Sequence, residues 1–174
     1  MEGSPTIRYA RQGDVSLILR FIRQGAEDQA PGTVPTATEE ALANTLYLSD
    51  EPSSSTQIGW PLLIFSPEGT PAGLLISFFN LTTWKAAPGV CMEELYVAPG
   101  FRSLGYARML VEAMTGAAKK AGCVKMEWNC LSDNERALRF YGKLGAEKME
   151  TWDILKVGKE GIERLAVQGA WNWA

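Results

Sequence analysis

Apolar and polar positions follow two spacings along the chain, and the change between them separates predicted helices from predicted strands. Thr6–Ala10 alternates over a short stretch and predicts a first strand. Helical spacing begins after Asp14, a residue type that favours the N-cap position. A second helix is predicted from Thr38 to about Ser49. The apolar face of the first helix is made by Val15, Ile18, Leu19 and Ile22.

A run of strands occupies the middle of the chain. It covers Ile58–Phe65, Ala72–Asn80 and Val90–Val97. The second of these is apolar almost throughout, which is typical of a strand buried on both faces. Pro61 lies in the first and predicts an edge position or a bulge there. The run ends at the Pro99-Gly100 break.

Helical spacing returns after that break. A helix is predicted over Gly105–Lys120 and a strand over Lys125–Cys130. A helix over Glu135–Leu144, a strand over Lys148–Val157 and a short helix over Gly161–Gln168 complete the pattern. Before that last helix the order is β-α-α-β-β-β-α-β-α-β. Such an order predicts a mixed α/β fold, with a central sheet flanked by helices.

Composition and charge narrow the class of protein. A chain of 174 residues suits a single domain, spanning residues 1–174. A formal net charge of −3 argues against a nucleic-acid binder, whose surface is normally basic. No apolar run approaches the roughly 20 residues that span a bilayer, so no membrane partner is expected. Three widely spaced cysteines, Cys91, Cys123 and Cys130, predict reduced thiols in a cytoplasmic protein.

The chain contains no histidine. This absence excludes Ser-His-Asp and Cys-His catalysis and removes the commonest zinc ligand, so no metal site is expected. Any acid–base chemistry must therefore use carboxylates, tyrosine, lysine, cysteine or water.

The passage from the third predicted strand into the next helix carries the clearest chemistry. The strand ends at Val97, a Pro/Gly turn follows, and a helix opens near Gly105. Free backbone N–H groups and the positive dipole end of a helix form a site for anions. Gly105 and Ala107 are small enough for a phosphate to approach the backbone, and Arg102 and Arg108 add positive charge. The passage therefore predicts a pyrophosphate site.

Two motifs in this part of the chain resemble those of one enzyme family. The run Val-x-Pro-x-Phe-Arg-Ser-x-Gly-Tyr-Ala-x-x-Leu resembles the acetyl-CoA motif of the GNAT superfamily, whose core Q/R-x-x-G-x-G/A is matched by Arg102, Gly105 and Ala107. The stretch 134–146 resembles the second motif of the family, N-x-x-A-x-x-F-Y-x-x-x-G-F. The resemblance implies the GNAT fold and an N-acetyltransferase that uses acetyl-CoA.

The same resemblance implies roles for individual residues. The backbone of Leu95, Tyr96 and Val97 would pair with the pantetheine arm like an added strand. Asn134 would contact pantetheine, and Tyr141 would protonate the leaving thiolate. The alternative for Tyr141 is a core aromatic, but its position in the motif favours the acid role. The pyrophosphate would be held by the backbone amides of Arg102, Ser103, Leu104, Gly105, Tyr106, Ala107 and Arg108.

An acceptor amine must lose a proton before it can attack a thioester. Glu93 and Glu94 adjoin the predicted thioester position, and strand alternation predicts that they point to opposite faces of the sheet. Either could also be an ordinary surface acid. An acetyl-cysteine on Cys91 or Cys130 is the alternative to direct attack, although neither has a cationic neighbour in sequence.

The resemblance extends to the diamine acetyltransferase group, which includes spermidine/spermine and thialysine acetyltransferases. It is carried by 78–84 and 92–97, and it implies that Glu93 is the base, Glu94 its acidic neighbour and Trp84 a substrate-side aromatic. Trp84 could equally be ordinary packing. The group usually has Tyr-Glu at the end of the first helix, where this chain has Asp28 and Gln29. Asp28 becomes a candidate for contacting a cationic amine.

These features together predict transfer of an acetyl group from acetyl-CoA to a primary amine of a small cationic substrate, by direct attack in a ternary complex. Polyamines, diamines and lysine analogues fit that description. Acetylation of a protein lysine or N-terminus, and a non-catalytic acyl-CoA-binding module, remain alternatives. Members of the group are usually homodimers that share C-terminal elements, so Trp171 and Trp173 are expected to pack on a partner subunit or to be disordered.

Overall fold

A computed structural model describes residues 3–168 of the chain. The chain divides into two compact units between Asn129 and Cys130. The first unit contains the strands β1 (Thr6–Tyr9), β2 (Trp60–Phe65), β3 (Pro71–Thr82), β4 (Ala87–Val97) and β5 (Met126–Trp128), with the helices α1 (Val15–Gln29), α2 (Glu39–Thr45) and α3 (Tyr106–Lys120). In the second unit, the described residues form α4 (Glu135–Lys143) and α5 (Lys159–Gln168).

The five strands form one sheet in the order β1-β2-β3-β4-β5. The first four are antiparallel to their neighbours, whereas β5 is parallel to β4. A parallel neighbour needs a crossover, and α3 supplies it between β4 and β5. The predicted central sheet with flanking helices is therefore confirmed for the first unit.

The sheet buries both of its faces. On one face, α1 and α2 cover a core that includes Leu63, Leu74, Ile76 and Tyr96. Leu62 and the other residues that alternate with these point to the opposite face and are also buried. Against that face α3 packs on β2, β3 and β4. Burial on both sides explains why the central strands are apolar runs rather than alternating patterns.

Local signals set several helix ends. The Thr38 side chain accepts a hydrogen bond from the Ala41 amide at 3.1 Å, so Thr38 is the N-cap of α2 as predicted. Asp14 lies at the start of α1, but its carboxylate binds Arg8 and the Arg11 amide instead of capping that helix. Asp14 is thus the N-cap residue of α1 as predicted, but its side chain makes no capping hydrogen bond because its oxygens accept from Arg8 and Arg11.

The strand predicted over Lys148–Val157 is wrong: the structure has turns and irregular backbone there. A strand is stabilised by hydrogen bonds to a neighbouring strand, and the described part of this unit provides only α4 and α5. The observed order therefore ends β-α-α. Trp171 and Trp173 lie outside the described residues. Over residues 3–168, no helix combines the length and apolar character needed to cross a membrane.

Candidate active site

The site is built around a parting of two strands. β5 pairs with β4 only from Val90 to Met92, and β5 ends at Trp128. Within the first unit, the edge of β4 from Glu93 to Val97 on that side thus faces no strand. An exposed strand edge offers N–H and C=O groups to an extended ligand. This edge includes Leu95, Tyr96 and Val97, the residues predicted to pair with pantetheine.

A β-bulge lies where the strands part. Ile76 of β3 is opposite Glu94, and the next residue, Ser77, is opposite Met92, so Glu93 is the extra residue. A bulge bends its strand and increases the local twist. It also breaks the simple alternation from which opposite orientations were predicted for Glu93 and Glu94.

Glu94 lies on the face of the sheet that α1 covers. A Cβ atom at Gly25 of α1 would lie 3.1 Å from Glu94 Oε1 and 3.4 Å from the Tyr96 ring, so the absent side chain leaves space for the carboxylate. Glu94 Oε1 is buried and has no hydrogen-bond partner among the described residues. Burial, with a smaller contribution from the Glu93 charge, raises the pKa of Glu94 to about 7. A carboxylate with this pKa can accept and release protons at neutral pH.

Glu93 has the opposite environment, because its side chain is exposed to solvent. Its charge acts on Glu94 and on Cys91. Burial first, and then the charge of Glu93, raise the pKa of the Cys91 thiol; burial and Asp133 do the same for Cys130. Since the thiolate is the nucleophile, both shifts count against an acetyl-cysteine intermediate.

The start of α3 presents unused backbone donors. Ser103 and Gly105 adopt left-handed backbone, with φ of 64° and 85°. No side chain of the described residues caps the helix, and the Met109 amide donates to the Gly105 carbonyl at 3.0 Å. The amides from Ser103 to Arg108 therefore remain for an anion at the helix start. The Arg102 amide, which was predicted to join them, donates instead to the Pro99 carbonyl at 3.3 Å. A Cβ on Gly105 would meet nothing within 4 Å, so the space above the loop is open. This arrangement fits a pyrophosphate.

The arginines of this loop are held by protein groups. Arg102 forms an ion pair with Asp28 of α1, and its Nε donates to the Val97 carbonyl at 2.8 Å. Arg108 pairs with Glu112 one helical turn away, at 2.7 Å. The Arg102 side chain thus fastens the loop to the end of β4 and to α1. Asp28, the candidate acid for the amine, contacts Arg102 instead.

The side chains of the two tyrosines in the predicted cofactor segment are buried. The hydroxyl of Tyr96 donates to Gln24 Oε1 at 3.2 Å, and its ring lies 5.3 Å from that of Phe21. The Tyr106 ring stacks on Phe101, with 5.8 Å between centroids. Only the backbone of Tyr96 and Tyr106 remains for a ligand. Leu104, between them in sequence, is exposed.

Trp84 lies in the turn between β3 and β4 and is 92% exposed. The ladder runs six residues from Ile76, opposite Glu94, to Thr82 at the turn. At about 3.4 Å per residue, this is about 20 Å along the sheet. Trp84 is therefore not packed in the core, and it does not lie beside Glu93 and Glu94 of its own chain.

The second unit holds the remaining two predicted residues, on α4. Asn134 is the N-cap of the helix: its Oδ1 accepts from the Ala137 amide at 3.0 Å. Tyr141 is partly buried, with its ring centroid 5.3 Å from that of Phe140. The second motif thus begins at a capped helix start. The cap uses only Oδ1 of Asn134 and not the nitrogen of its side-chain amide.

Two contributors escaped the sequence reasoning. Gly25 makes room for Glu94, and a glycine inside a strongly periodic helix is a signal that could have found it. Gln24 accepts a hydrogen bond from the Tyr96 hydroxyl, but a glutamine on a helix carries no such signal. Both come from α1, which the sequence linked to the site only through Asp28.

Comparisons with known proteins agree with this geometry. The family model described as "Acetyltransferase (GNAT) family" matches residues 21–146. A thialysine N-epsilon-acetyltransferase from Bos taurus is 29% identical over 92% of this chain and 96% of its own. An L-ornithine N5-acetyltransferase from Arabidopsis thaliana is 23% identical over 94% and 92%.

Solved structures support the fold. An integron cassette protein from the mobile metagenome of V. cholerae superposes with a TM-score of 0.74, at 21% identity, over 94% of this chain and 98% of that one. An aminoglycoside acetyltransferase solved with sisomicin has a TM-score of 0.71, at 15% identity, over 88% and 97%. The family match, together with the parted strands and the open helix start, leads to one conclusion. The chain belongs to the GNAT family of acetyltransferases, and it is an acyl-CoA-dependent N-acetyltransferase.

Proposed function

We propose that the protein transfers an acetyl group from acetyl-CoA to a primary amine of a small cationic substrate, by direct attack in a ternary complex. Polyamines, diamines and lysine analogues are the candidate substrates. The observation that carries the proposal is the place of Glu94 where β4 parts from β5, with Oε1 buried and burial raising the pKa of the carboxyl to about 7. The thialysine and ornithine acetyltransferases among the relatives support an amine at the end of a short aliphatic chain.

Acetyl-CoA supplies the activated acetyl group, and the chain offers two binding features for it. The uncapped amides at the start of α3 suit its pyrophosphate, because Ser103 and Gly105 turn the backbone toward the open side. The edge of β4 at Leu95 to Val97 suits the pantetheine amides. Arg102 holds these two features together through the Val97 carbonyl. Asn134 is assigned to pantetheine through its place in the second motif.

Proton removal from the amine is assigned to the two glutamates. The sequence favoured Glu93 as base and Glu94 as its acidic neighbour. The pKa of Glu94 supports a larger share for Glu94 in taking the proton, because a base acts best when its pKa is near the working pH. Burial keeps the pKa of Glu94 high, and the charge of exposed Glu93 adds to that effect. Tyr141 donates the proton that the leaving thiolate needs, as its place in the second motif implies.

The proposal extends to a cytoplasmic homodimer. Cys91, Cys123 and Cys130 are free thiols, as expected for a reducing compartment. The stretch 148–157 has the sequence pattern of a strand without being one in the isolated chain. Pairing with a second copy would give it the hydrogen-bond partner that a strand requires. Light scattering of the purified protein tests the dimer, and a monomeric mass would contradict it.

The experiment that tests the proposed reaction is thiol release from acetyl-CoA across a panel of amines. The panel contains spermidine, putrescine, thialysine, ornithine, an aminoglycoside and a histone-tail peptide. We expect turnover with at least one diamine or lysine analogue. Turnover of the peptide alone would move the protein to the class of protein acetyltransferases. Calorimetric binding of acetyl-CoA without turnover of any amine would contradict the proposed function.

A further inference from the structure

A polar cluster lies on the same sheet face as Glu94, farther toward the β3–β4 turn. On β3, Asn80 follows Ile76 by four residues and therefore shares its face, which is also that of Glu94. Asn80 is opposite Gly89 of β4, and Cys91 of β4 is level with Glu127 of β5. Strand pairing thus places this cluster and Glu94 on the same face of the sheet.

Glu127 is the centre of the cluster. Lys125 Nζ donates to its two carboxylate oxygens at 2.8 and 2.9 Å, and Asn80 Nδ2 donates to Oε1 at 2.5 Å. Donors on two sides fix the carboxylate, although about half of its side chain is exposed. The result is a fixed negative charge beside a fixed positive one, both reachable from solvent.

Gly89 makes the cluster possible. A Cβ atom at this position would lie 2.4 Å from Asn80 Oδ1 and 2.8 Å from Lys125 Cγ, so any side chain would displace both. Asn80 Oδ1 is buried and receives no hydrogen bond from the described residues. An unpaired buried acceptor weakens the fold, and an exposed ion pair adds little to it. Stability alone therefore does not explain the cluster.

We propose that Lys125 and Glu127, steadied by Asn80, bind the α-carboxylate and the α-ammonium of an amino-acid substrate whose terminal amine lies at Glu94. This inference rests on the proposed function, since it assumes that the amine is acetylated beside Glu94. It selects an amino acid with an aminoalkyl side chain from the broader group of polyamines, diamines and lysine analogues.

The spacing of the charges supports this choice. In an extended lysine-length chain, the terminal amine lies about 6 Å from the α-carbon. The level of Glu94 and the level of Cys91 and Glu127 are two ladder steps apart, or about 6.6 Å, and the step from β4 to β5 adds about 4.8 Å sideways. The two backbone positions are thus about 8 Å apart, a distance that a lysine-length chain spans together with its hydrogen bonds. Lys125 lies two residues farther from Glu94. The α-ammonium and the α-carboxylate are bonded to one carbon, so their partners must lie side by side, as Glu127 and Lys125 do with Nζ 2.8 Å from Oε1.

A diamine has no α-carboxylate. Its distal ammonium can contact Glu127, but it offers nothing to Lys125 and is repelled by that charge. Removing the α-carboxylate of the substrate and removing the charge of Lys125 should therefore have the same effect. This equivalence is the basis of the test.

The test compares L-lysine with cadaverine, its decarboxylated form, and L-ornithine with putrescine. The wild-type enzyme should have the higher kcat/KM for the amino acid of each pair. Lys125→Gln should lower kcat/KM for the amino acids about tenfold or more, the loss expected for a charge-assisted hydrogen bond. The diamines should change less than about twofold. Lys125→Arg should restore most of the preference, because it keeps the charge.

Lys120→Gln, at the exposed end of α3, is the matched control, since it removes the same charge away from the site. Glu127→Gln should weaken both members of each pair, because each offers it an ammonium group. An amino-acid preference unaltered by Lys125→Gln, or a wild-type preference for the diamines, overturns the inference and leaves the proposed function standing. Failure of the wild-type enzyme to acetylate any of the four amines overturns the inference, whereas only failure with every amine of the wider panel contradicts the proposed function.

Discussion

The two halves of β4 differ in their neighbours, and the difference separates two tasks. The half from Ala87 to Met92 is paired with β3 on one side and reaches β5 on the other. The half from Glu93 to Val97 is paired with β3 alone within the first unit. One strand therefore has an open edge at one end, which we propose for the thioester, and a paired surface at the other, which we propose for substrate recognition.

The bulge at Glu93 is the boundary between the halves. It removes Glu93 from the ladder and leaves Glu94 facing α1, where burial raises the pKa of its carboxyl to about 7. At the paired end, Glu127 is partly exposed and held by two donors. Burial raises the pKa of the Glu94 carboxyl toward neutral pH, whereas hydrogen bonds hold the Glu127 carboxylate in one position.

The largest effect is expected from removing the carboxylate of Glu94. Glu94→Gln should lower kcat about 10²–10³-fold, the range for a general base, and remove the rise in activity near pH 7. Glu93→Gln is the comparison: it should cause a smaller loss and lower the pKa seen in the pH profile. A Glu94→Gln enzyme that keeps the wild-type profile would assign proton removal elsewhere.

The same variant should change the pH dependence of stability. A carboxyl whose pKa is raised in the folded state binds more protons folded than unfolded, so the free energy of unfolding falls as pH rises from about 4.5 to about 7. The loss is at most about 3 kcal/mol. Thermal melts between pH 4.5 and 8 should decline for the wild type and be flatter for Glu94→Gln. Parallel curves would show that Glu94 titrates normally.

The next largest effect is expected from Gly105→Ala, which tests the anion site after the open half of β4. Gly105 has φ of 85°, a conformation that costs an L-residue about 1–2 kcal/mol, and the added methyl group would point into the space above the uncapped amides. Acetyl-CoA affinity should fall about tenfold by calorimetry, while the fold is retained. Gly100→Ala is the control in the same loop, since its backbone is unstrained and it has open space around it. Equal affinities for the two variants would place the anion elsewhere.

A smaller effect is expected from Asp28. Asp28→Asn breaks the charge pairing with Arg102, and partly exposed pairs are worth about 0.2–1 kcal/mol. The Kd for acetyl-CoA should rise about two- to fivefold while the KM for the amine stays constant. If instead the amine KM rises and the acetyl-CoA Kd does not, Asp28 contacts the substrate, as its sequence position suggested.

The smallest effect belongs to Trp84. Because this side chain is 92% exposed, Trp84→Ala should leave the free energy of unfolding within about 0.5 kcal/mol of the wild type in chemical denaturation. A larger loss, together with a change in oligomeric mass, would show that the β3–β4 turn is part of a subunit interface.

Sequence patterns predicted the fold well where local signals and burial agree. Thr38 was recognised as a helix start, and the apolar run at 72–80 as a strand, which is buried from Ala72 to Ser77. Sequence patterns failed at Lys148–Val157. This segment was predicted as a strand, but the described part of its unit has no neighbouring strand. Pairing is a non-local property, and the pattern of one segment cannot reveal its partner.

The candidate site divides in the same way. Motif spacing singled out Gly105, Glu93 and Glu94 as candidates from the sequence alone, because a glycine at a helix start and acids at the end of a strand are visible in residue types and short spacings. No local signature distinguishes the two glutamates or links Arg102 to Asp28, which lies 74 positions away. Those facts depend on which helix covers which face of the sheet.

The sequence by itself determined the family, the strand–turn–helix that suits a pyrophosphate, and the exclusion of histidine chemistry, since all three are written in residue types and short spacings. Only the tertiary structure decided that Glu94 is the buried acid, that Arg102 is bound to Asp28, and that Lys125, Glu127 and Asn80 meet over Gly89. The physical reason is that burial and charge pairing depend on neighbours brought from distant parts of the chain by the sheet and by α1.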